Sequence, residues 1–481
     1  MAKHLKRNIC FLVVNIFFIL FFCSLAYASL TIEDEKKLGS EFYDKMEKSN
    51  IIYHNSRVDE YIGKIGRQIV ATIPDSPFVY RFFVINSPAI NAFATPGGYV
   101  YVNMGLITLA ENESQLAGVL AHETAHVSAR HIADIVDKST KINIASLAAI
   151  LAGAFLGGDM TAAVASFSLA TATSLNLKYS REHEEEADRL GLTYLIKAGY
   201  DGNAMLDFLR IMRQYEFYSS NVPSYFLTHP GTDERIRYLD ALLQSRYSGG
   251  GSKTMSGQFK RIQTILLFEK KNFSENAKVF ETALAKNNAD LDSLYGLAVS
   301  QDKLGLTALS LENFQKALRL APDDTDVLRD LGILYLKSGH PREAMQCLRK
   351  AAELDVNDGI AMSYLGKSYE AEGNYLSAIQ IYKQLAAKNP TDPEVFYSLA
   401  FAYGKTNNEG DSHYNFGIYF KKKDKRSSAL FHFKEALKHF PPDSAQAKDI
   451  ANQMKPPGSP DNENELKPQE PKRRSRGDRG L

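Results

Sequence analysis

Apolar and polar positions alternate with two different periods in the first half of the chain. In 112–120, apolar residues recur at helical spacing behind Asn112, a good N-cap residue, which predicts a helix. The run 78–84 and the run 99–102 are instead aromatic and β-branched, as strands are. The segment 91–98 contains Pro-Gly-Gly and is predicted to be a turn. This half is therefore expected to be mainly α, with a small β-sheet.

A repeat of 34 residues follows in the second half. Small residues recur at this spacing, and Tyr follows three residues later in three of the four cases. The small positions are Ala298, Gly332, Gly366 and Ala400, and the tyrosines are Tyr335, Tyr369 and Tyr403. Such a period predicts tetratricopeptide (TPR) repeats, an α-solenoid of paired helices. The pattern restarts out of phase at Gly417, and a degenerate unit with Ala277 and Phe280 precedes Ala298, so roughly five units are expected.

Both ends of the chain differ from the rest. A basic start precedes the apolar run Ile9–Leu25 and Ala26-Tyr27-Ala28, which is the order of a secretory signal peptide. Cleavage after Ala28 is expected, and the alternative is an uncleaved membrane anchor. Gly and Ser dominate 248–252, as in flexible linkers. The predicted organisation is a signal peptide 1–28, a first domain 29–247, a linker 248–254, repeats 255–450 and a disordered tail 451–481.

Charge and cysteine content narrow the function class. The 481 residues carry 57 Lys and Arg against 56 Asp and Glu, so no net field favours nucleic acid as a partner. Three cysteines are present, and removal of the signal peptide takes away two of them. The remaining Cys347 cannot form an internal disulfide. An exported protein held together by its apolar cores is therefore expected.

The predicted helix continues into His-Glu-Thr-Ala-His, residues 122–126. His122 and His126 are four apart and share one face of the helix, where two imidazoles can bind one zinc ion. Glu123 beside them can act as a general base toward water. His131 is about 180° round the same helix from His122 and is expected at the surface or behind the ligands.

A third ligand must come from elsewhere, because a catalytic zinc normally has three protein ligands and one open position. The acidic run 182–188 is the candidate. Glu184 and Asp188 are four apart, so one could bind zinc while the other orients a ligand histidine. Spacing alone does not choose Glu184 over Glu185 or Glu186.

Taken together, these motifs resemble the M48 family of zinc peptidases. The matching residues are His122–His126, then Ser180-Arg181, Glu184 and Ala187-Asp188, and upstream Asn91–Ala94 with Pro96-Gly97-Gly98. The resemblance covers nearly the whole chain after the signal peptide, except the tail. It implies a helical zincin-type domain with one Zn²⁺ per chain, held by His122, His126 and Glu184. It also implies Glu123 as catalytic base and Asp188 as a residue that supports a ligand.

Two further features can be interpreted in terms of the chemistry of a zinc peptidase site. His229, in Thr-His-Pro, could stabilise the oxyanion of the reaction or occupy the open metal position and silence the enzyme. The strand Tyr99, Val100, Tyr101 and Val102 could bind an extended substrate if it is an exposed edge; a paired interior strand is the alternative. The segment Ile142–Ala172 lacks a clean apolar stretch, so at most peripheral membrane contact is expected.

The resemblance and the export signal together imply a periplasmic zinc endopeptidase that acts on unfolded or misassembled envelope proteins. Outer-membrane protein assembly is the implied setting, with the repeats binding a partner such as the assembly machinery, or presenting substrates. The alternative is a TPR chaperone or adaptor whose protease activity is latent or minor.

Overall fold

The computed structural model of the protein describes residues 30–138, 179–218, 225–247 and 258–455. They belong to two compact units that meet in sequence at Lys271 and Asn272. The predicted signal peptide, the linker 248–254 and the segment 142–172 lie outside the described residues. No helix among the described residues is long and apolar enough to cross a membrane.

The first unit combines helices with a small sheet. Its described elements are α1 (Ile32–Lys48), β1 (Ile52–Tyr53), α2 (Ser56–Val70), β2 (Arg81–Ile85), β3 (Ala92–Thr95), β4 (Tyr99–Asn103), α3 (Met104–Leu109), α4 (Glu113–Ser128), α5 (His131–Lys138), α6 (Arg181–Lys197), α7 (Asn203–Tyr218), α8 (Tyr225–Thr228), α9 (Thr232–Arg246) and α10 (Phe259–Glu269). A mainly helical domain with a small β-sheet was predicted, and this composition confirms it.

The sheet has the strand order β1-β2-β4-β3. β4 pairs in parallel with β2 and antiparallel with β3, so it is an interior strand. The predicted turn 91–98 is shorter than expected, because residues 92–95 form β3. The reversal is confined to Pro96–Gly98, where Gly97 and Gly98 take φ of 85° and 98°, a region that favours glycine.

Helix α4 lies at the centre of the first unit. The Asn112 side chain accepts a hydrogen bond from the Gln115 amide at 3.0 Å and caps the helix. Residues Glu113–Val127 are all buried, because α4 contacts α2, α6, α7 and β3 on its different sides. The helix ends at Ser128 and not beyond, since Arg130 takes a positive φ of 57° and α5 starts a new direction.

Helix α10 packs within the first unit, although the sequence predicts repeats from residue 255. The Gln263 amide donates to the carbonyls of Ile107 and Ala110, at 3.0 and 2.7 Å. The Tyr53 hydroxyl donates to Glu269 at 2.9 Å. The two Gln263 bonds satisfy carbonyls around the end of α3. Together with the Tyr53 bond they attach α10 to the first unit.

The second unit is built of antiparallel helix pairs, as predicted. Its described helices are α11 (Phe273–Lys286), α12 (Leu291–Lys303), α13 (Thr307–Leu320), α14 (Thr325–Lys337), α15 (Pro341–Leu354), α16 (Gly359–Ala371), α17 (Tyr375–Lys388), α18 (Pro393–Lys405), α19 (Glu409–Lys422), α20 (Arg426–Leu437) and α21 (Ala445–Gln453). The last helix extends three residues into the predicted tail, and residues 456–481 lie outside the description.

The small residues of the repeat permit close contact between paired helices. A Cβ added at Gly366 would lie 2.3 Å from the ring of Tyr382, and one at Gly417 would lie 2.4 Å from Phe433. In both cases the partner is sixteen residues further on, in the next helix. The side chain that fills the space over each of these glycines is therefore an aromatic ring of the next helix.

Candidate metal centre

Two helices bring the three predicted ligands together. His122 and His126 lie on one face of α4 with their Nε2 atoms 3.0 Å apart. Glu184 in the first turn of α6 places Oε2 3.5 Å from the first of these nitrogens and Oε1 3.6 Å from the second. All three side chains are buried. Glu185 and Glu186 are exposed, so of these three candidates the helix phase directs only Glu184 toward the histidines.

Close contact between α4 and α6 depends on Gly191. A Cβ at this position would lie 3.0 Å from both the N and the Cα of His122. Only glycine lets the two backbones come this near. The carboxylate of Glu184, two turns earlier on α6, therefore reaches the histidines of α4.

His229, the fourth residue of the cluster, follows α8. Its Nδ1 lies 3.0 Å from Oε1 of Glu184, and its Nε2 lies 3.5 Å from Oε1 of Glu123. Ligand atoms of His122, His126, Glu184 and His229 all lie within 4.8 Å of one another. The position of the His229 side chain is thus compatible with both roles considered for it, stabilising the oxyanion and occupying the open metal position.

Each ligand histidine is oriented by a partner at its Nδ1 atom. His122 Nδ1 lies 2.9 Å from Oδ1 of Asp188, the contact expected for that residue. His126 Nδ1 lies 2.8 Å from Nδ1 of His131, whose Nε2 lies 3.3 Å from Glu186. Donation from both Nδ1 atoms leaves the two Nε2 lone pairs directed toward the centre of the cluster.

Arg235 of α9 holds the acidic side of the site. Its Nε and Nη2 donate to the two carboxylate oxygens of Asp188 at 2.8 and 2.7 Å. Its Nη1 lies 2.8 Å from Oε2 of Glu184. The guanidinium is 5% exposed, so this planar fork binds its carboxylates away from water.

Burial acts to raise the pKa of all three carboxyls of the site, but the net shifts differ in direction. Burial raises the pKa of the Glu123 carboxyl, and His229 and His122 offset only part of that effect. For Glu184, burial also acts upward, but His229 and Arg235 outweigh it and hold its pKa well below 4.5. The pKa of Asp188 is lowered in the same way, with Arg235 as the largest opposing influence. Glu123 is thus the carboxyl that exchanges a proton most readily.

The ligand histidines also differ from each other. Burial and Arg235 act to lower the pKa of His122, but hydrogen bonds to Asp188 and Glu184 outweigh them and raise it to about 9. Burial, with a contribution from His122, lowers the pKa of His126 well below 6.5. A cation that enters the metal-free site therefore displaces a proton from His122.

The side chains fit a divalent metal ion. Two imidazoles and a carboxylate converge, and this set of N and O donors suits zinc and its neighbours. Both carboxylate oxygens of Glu123 and Nε2 of His229 are buried, yet have no hydrogen-bond partner among the described residues. Buried polar groups are normally paired. This cluster therefore has the unmet polar capacity that a metal ion and its water would satisfy.

Aromatic rings enclose the cluster. The Tyr179 ring stacks on His126 with centroids 3.8 Å apart, and Tyr225 stacks on His229 at 4.4 Å. Burial raises the pKa of the Tyr179 phenol well above 10, and the charges of Glu123 and Glu184 act in the same direction. Its hydroxyl has no hydrogen-bond partner among the described residues.

The prediction that the substrate strand is an exposed edge is wrong. Tyr99, Val100, Tyr101 and Val102 belong to β4, which is paired on both sides and buried. Its main-chain groups are already used by β2 and β3. The end strand next to the metal cluster is β3, and its residues Ala94 and Thr95 line a small cavity with His126 and Tyr179.

Two residues of the site were not given a role from the sequence. Arg235 follows His229 by six residues, but its partners are 47 and 51 positions away in sequence. Tyr179 precedes the acidic run, and only the fold places its ring on His126. No local spacing signals these two contacts. His131 was expected at the surface or behind the ligands, and it lies behind His126, because the turn at Arg130 brings it back.

Comparisons with known proteins agree with the geometry. Residues 54–243 match peptidase family M48. Residues 291–324 and 329–393 match tetratricopeptide repeat families. The beta-barrel assembly-enhancing protease of Escherichia coli (strain K12) is 32% identical over 215 residues, which cover 44% of this chain and 44% of that protein.

A second relative comes from a eukaryote. The mitochondrial metalloendopeptidase OMA1 of Schizosaccharomyces pombe is 34% identical over 209 residues, covering 43% of this chain and 58% of that protein. The chain thus spans about half the length of these curated relatives. Among solved structures, the crystal structure of MamA has 19% identity and a TM-score of 0.32, and covers 37% of this chain and 99% of that one. The predicted family is confirmed: the chain carries a peptidase M48 domain followed by tetratricopeptide repeats.

Proposed function

We propose that the protein is an exported zinc endopeptidase that cleaves unfolded or misassembled envelope proteins. The observation that carries the proposal is the cluster of His122, His126 and Glu184. Beside it lies the Glu123 carboxylate, which has no hydrogen-bond partner in the described part of the chain. Membership of the M48 family by residues 54–243 supports the same chemistry.

His122, His126 and Glu184 would hold the metal, with His229 as a possible fourth ligand. Zn²⁺ in such a site supplies Lewis acidity and lowers the pKa of water toward neutrality. The Glu123 carboxylate takes a proton from the attacking water, whose oxygen forms a bond to the peptide carbonyl carbon. The C–N bond then breaks, and Glu123 passes the proton to the leaving nitrogen, which yields a carboxylic acid and an amine.

Substrate pairing is proposed at β3. This strand ends the sheet of the described residues. Its four residues are buried, but Ala94 and Thr95 line one cavity with His126. An extended peptide that pairs through its main chain would present a carbonyl to the metal cluster with little demand on sequence. Such a mode suits unfolded proteins as substrates.

His229 is proposed to regulate or assist this reaction. As a fourth ligand it would close the open metal position and keep the resting enzyme inactive. As a hydrogen-bond donor it would stabilise the oxyanion. Its contacts with Glu184 at 3.0 Å and Glu123 at 3.5 Å support both roles, and they have opposite consequences for a variant.

The apolar N-terminal run supports export, and a periplasmic location is part of the proposal. The relative named for β-barrel assembly supports a role in outer-membrane protein assembly. The repeats would bind a protein partner there, such as the assembly machinery, or present substrates. The second candidate function is a chaperone or adaptor with minor proteolysis, since the repeat unit is a complete helical array in its own right.

The test is metal analysis together with casein proteolysis by the parental protein, Glu123→Gln and His229→Ala. We expect one zinc per chain in all three and no cleavage by Glu123→Gln. A gating His229 predicts faster cleavage by His229→Ala, and an oxyanion role predicts slower cleavage. Unchanged cleavage and zinc content would exclude both. Rescue of envelope defects by Glu123→Gln would favour the adaptor.

A further inference from the structure

Tyr179 lies where the third-ligand helix, the His229 loop and the histidine helix meet. Its main-chain N–H donates to the Thr228 carbonyl at 3.2 Å, next to His229. Its ring stacks on His126 at 3.8 Å with an interplanar angle of 25°, and lies 5.2 Å from the ring of His229. The position of its side chain is thus defined by contacts with two residues of the cluster.

The hydroxyl group is the part of Tyr179 that packing does not explain. Stacking on His126 needs only the ring, and phenylalanine would provide it. The buried hydroxyl has no hydrogen-bond partner among the described residues, and leaving such a group unpaired costs about 1–3 kcal/mol. The buried hydroxyl of Tyr101 in the sheet region also has no hydrogen-bond partner among the described residues. It is therefore the position of Tyr179 beside the metal cluster that points to a partner arriving with the substrate.

The unpaired groups of the cluster differ in what they can do. Both carboxylate oxygens of Glu123 have no hydrogen-bond donor among the residues that the structure describes, and an ionised carboxylate cannot itself donate. A substrate carbonyl that gains negative charge needs donors. Tyr179 offers an O–H donor, and it lines the same small cavity as Ala94, Thr95 and His126, beside the strand proposed to bind substrate.

We propose that the Tyr179 hydroxyl donates a hydrogen bond to the carbonyl oxygen of the scissile peptide as that oxygen becomes an oxyanion. This makes Tyr179 a catalytic residue, and the assignment rests on the proposed peptidase function. The ring is clamped by its stack on His126, whereas His229 follows a helix of four residues. A donor already held in place contributes most to transition-state stabilisation.

The test compares Tyr179→Phe with Tyr101→Phe as a matched control. Tyr101 is also fully buried in the first unit, but its ring packs between Phe42, Phe83 and Phe93 of the sheet region. Casein is the substrate, and the probe is a phosphinic pseudopeptide that copies a cleavage site mapped in casein. Zinc content is measured in each protein.

For Tyr179→Phe we expect kcat to fall about 100-fold, with KM and zinc content unchanged. Affinity for the phosphinic pseudopeptide should fall by a similar factor. Affinity for the uncleaved peptide of the same sequence, measured in a Glu123→Gln background, should stay the same. Tyr101→Phe should leave all five quantities unchanged.

Parental values of kcat and of pseudopeptide affinity in Tyr179→Phe would overturn this role. A loss of zinc, or equal losses of affinity for pseudopeptide and uncleaved peptide, would also overturn it, because they indicate a purely structural stack. Failure of both the parental protein and His229→Ala to cleave casein would instead reject the proposed peptidase function, and this role with it.

Discussion

Arg235 is the residue on which the acidic half of the site depends. It bonds both oxygens of Asp188 and lies 2.8 Å from Glu184, all within the buried centre of the first unit. Replacing it by Met leaves two carboxylates buried beside each other. We expect Arg235→Met to lower the free energy of unfolding of the metal-free protein by about 3–5 kcal/mol, measured by urea unfolding. Zinc affinity should fall by about 10- to 100-fold.

Arg181→Met is the matched control. Arg181 also bonds a glutamate, Glu234, at 2.9 Å, but the two side chains are 73% and 50% exposed. An exposed pair of this kind contributes at most about 1 kcal/mol. Equal losses of stability in the two variants would contradict the special importance of the buried arginine.

The same arginine should give the metal-free protein a pH-dependent stability. Arg235 is one of the groups that hold the pKa values of Glu184 and Asp188 below their ordinary 4.5 and 3.8. An acid with a lowered folded-state pKa stabilises the fold above its unfolded pKa, and this contribution disappears as pH falls toward the folded value. The stability difference between the parental protein and Arg235→Met should therefore shrink below about pH 4.5. A difference that is constant from pH 7 to pH 3 would contradict this.

Local spacing predicted the residues whose relation is local. His122, Glu123 and His126 could be identified because a four-residue separation sets one face of a helix, whatever the rest of the fold. The choice of Glu184 needed a resemblance, since its orientation depends on how α6 packs on α4. Arg235 could not be assigned, because only the fold brings it to Asp188 and Glu184. For His131 the sequence left the surface and a position behind the ligands open, and the break at Arg130 decides for the latter.

At the level of elements, the site requires that α4 and α6 nearly touch. We expect Gly191→Ala to lower the free energy of unfolding by about 1–3 kcal/mol, because the added Cβ would meet main-chain atoms of His122 at 3.0 Å. The helices must move apart, which separates Glu184 from the histidines, so zinc affinity should fall as well. Calorimetry and a zinc competition assay measure the two effects.

Gly63→Ala in α2 is the control for helix propensity. The nearest atom to its added Cβ is the end of the Arg67 side chain at 3.1 Å, which can move aside. Alanine in a helix is favoured over glycine by about 1 kcal/mol, so this variant should be slightly more stable. A gain of stability in Gly191→Ala as well would show that close contact at His122 does not limit the fold.

The strands show what the residue pattern cannot predict. β-branched and aromatic composition located β2 and β4 to within three residues, but composition does not reveal which strands become neighbours. The Pro-Gly-Gly turn between β3 and β4 was recognised, while β3 itself was taken for part of the turn. β4 pairs with β3 on one side and with β2 on the other, so the strand predicted as an edge is an interior strand.

At the level of the whole molecule, the two units differ in their dependence on metal. The described metal cluster lies wholly in the first unit, whereas the described repeats are held by apolar contacts such as Gly366 with Tyr382. A ligand that binds only a folded unit stabilises that unit alone. Metal removal should therefore separate the thermal transitions of the full-length protein.

We expect calorimetry of the full-length protein to show two transitions, of which zinc shifts only one. Calorimetry suits a chain that contains no Trp. With free zinc at 100 times its Kd, binding adds about 2.7 kcal/mol, which corresponds to roughly 5–10 °C in Tm for a unit of this size. Glu123→Gln keeps the proposed ligands and should show the same shift, whereas His126→Ala should abolish it. A shift of both transitions, or one that persists in His126→Ala, would contradict a stabilising metal confined to this site.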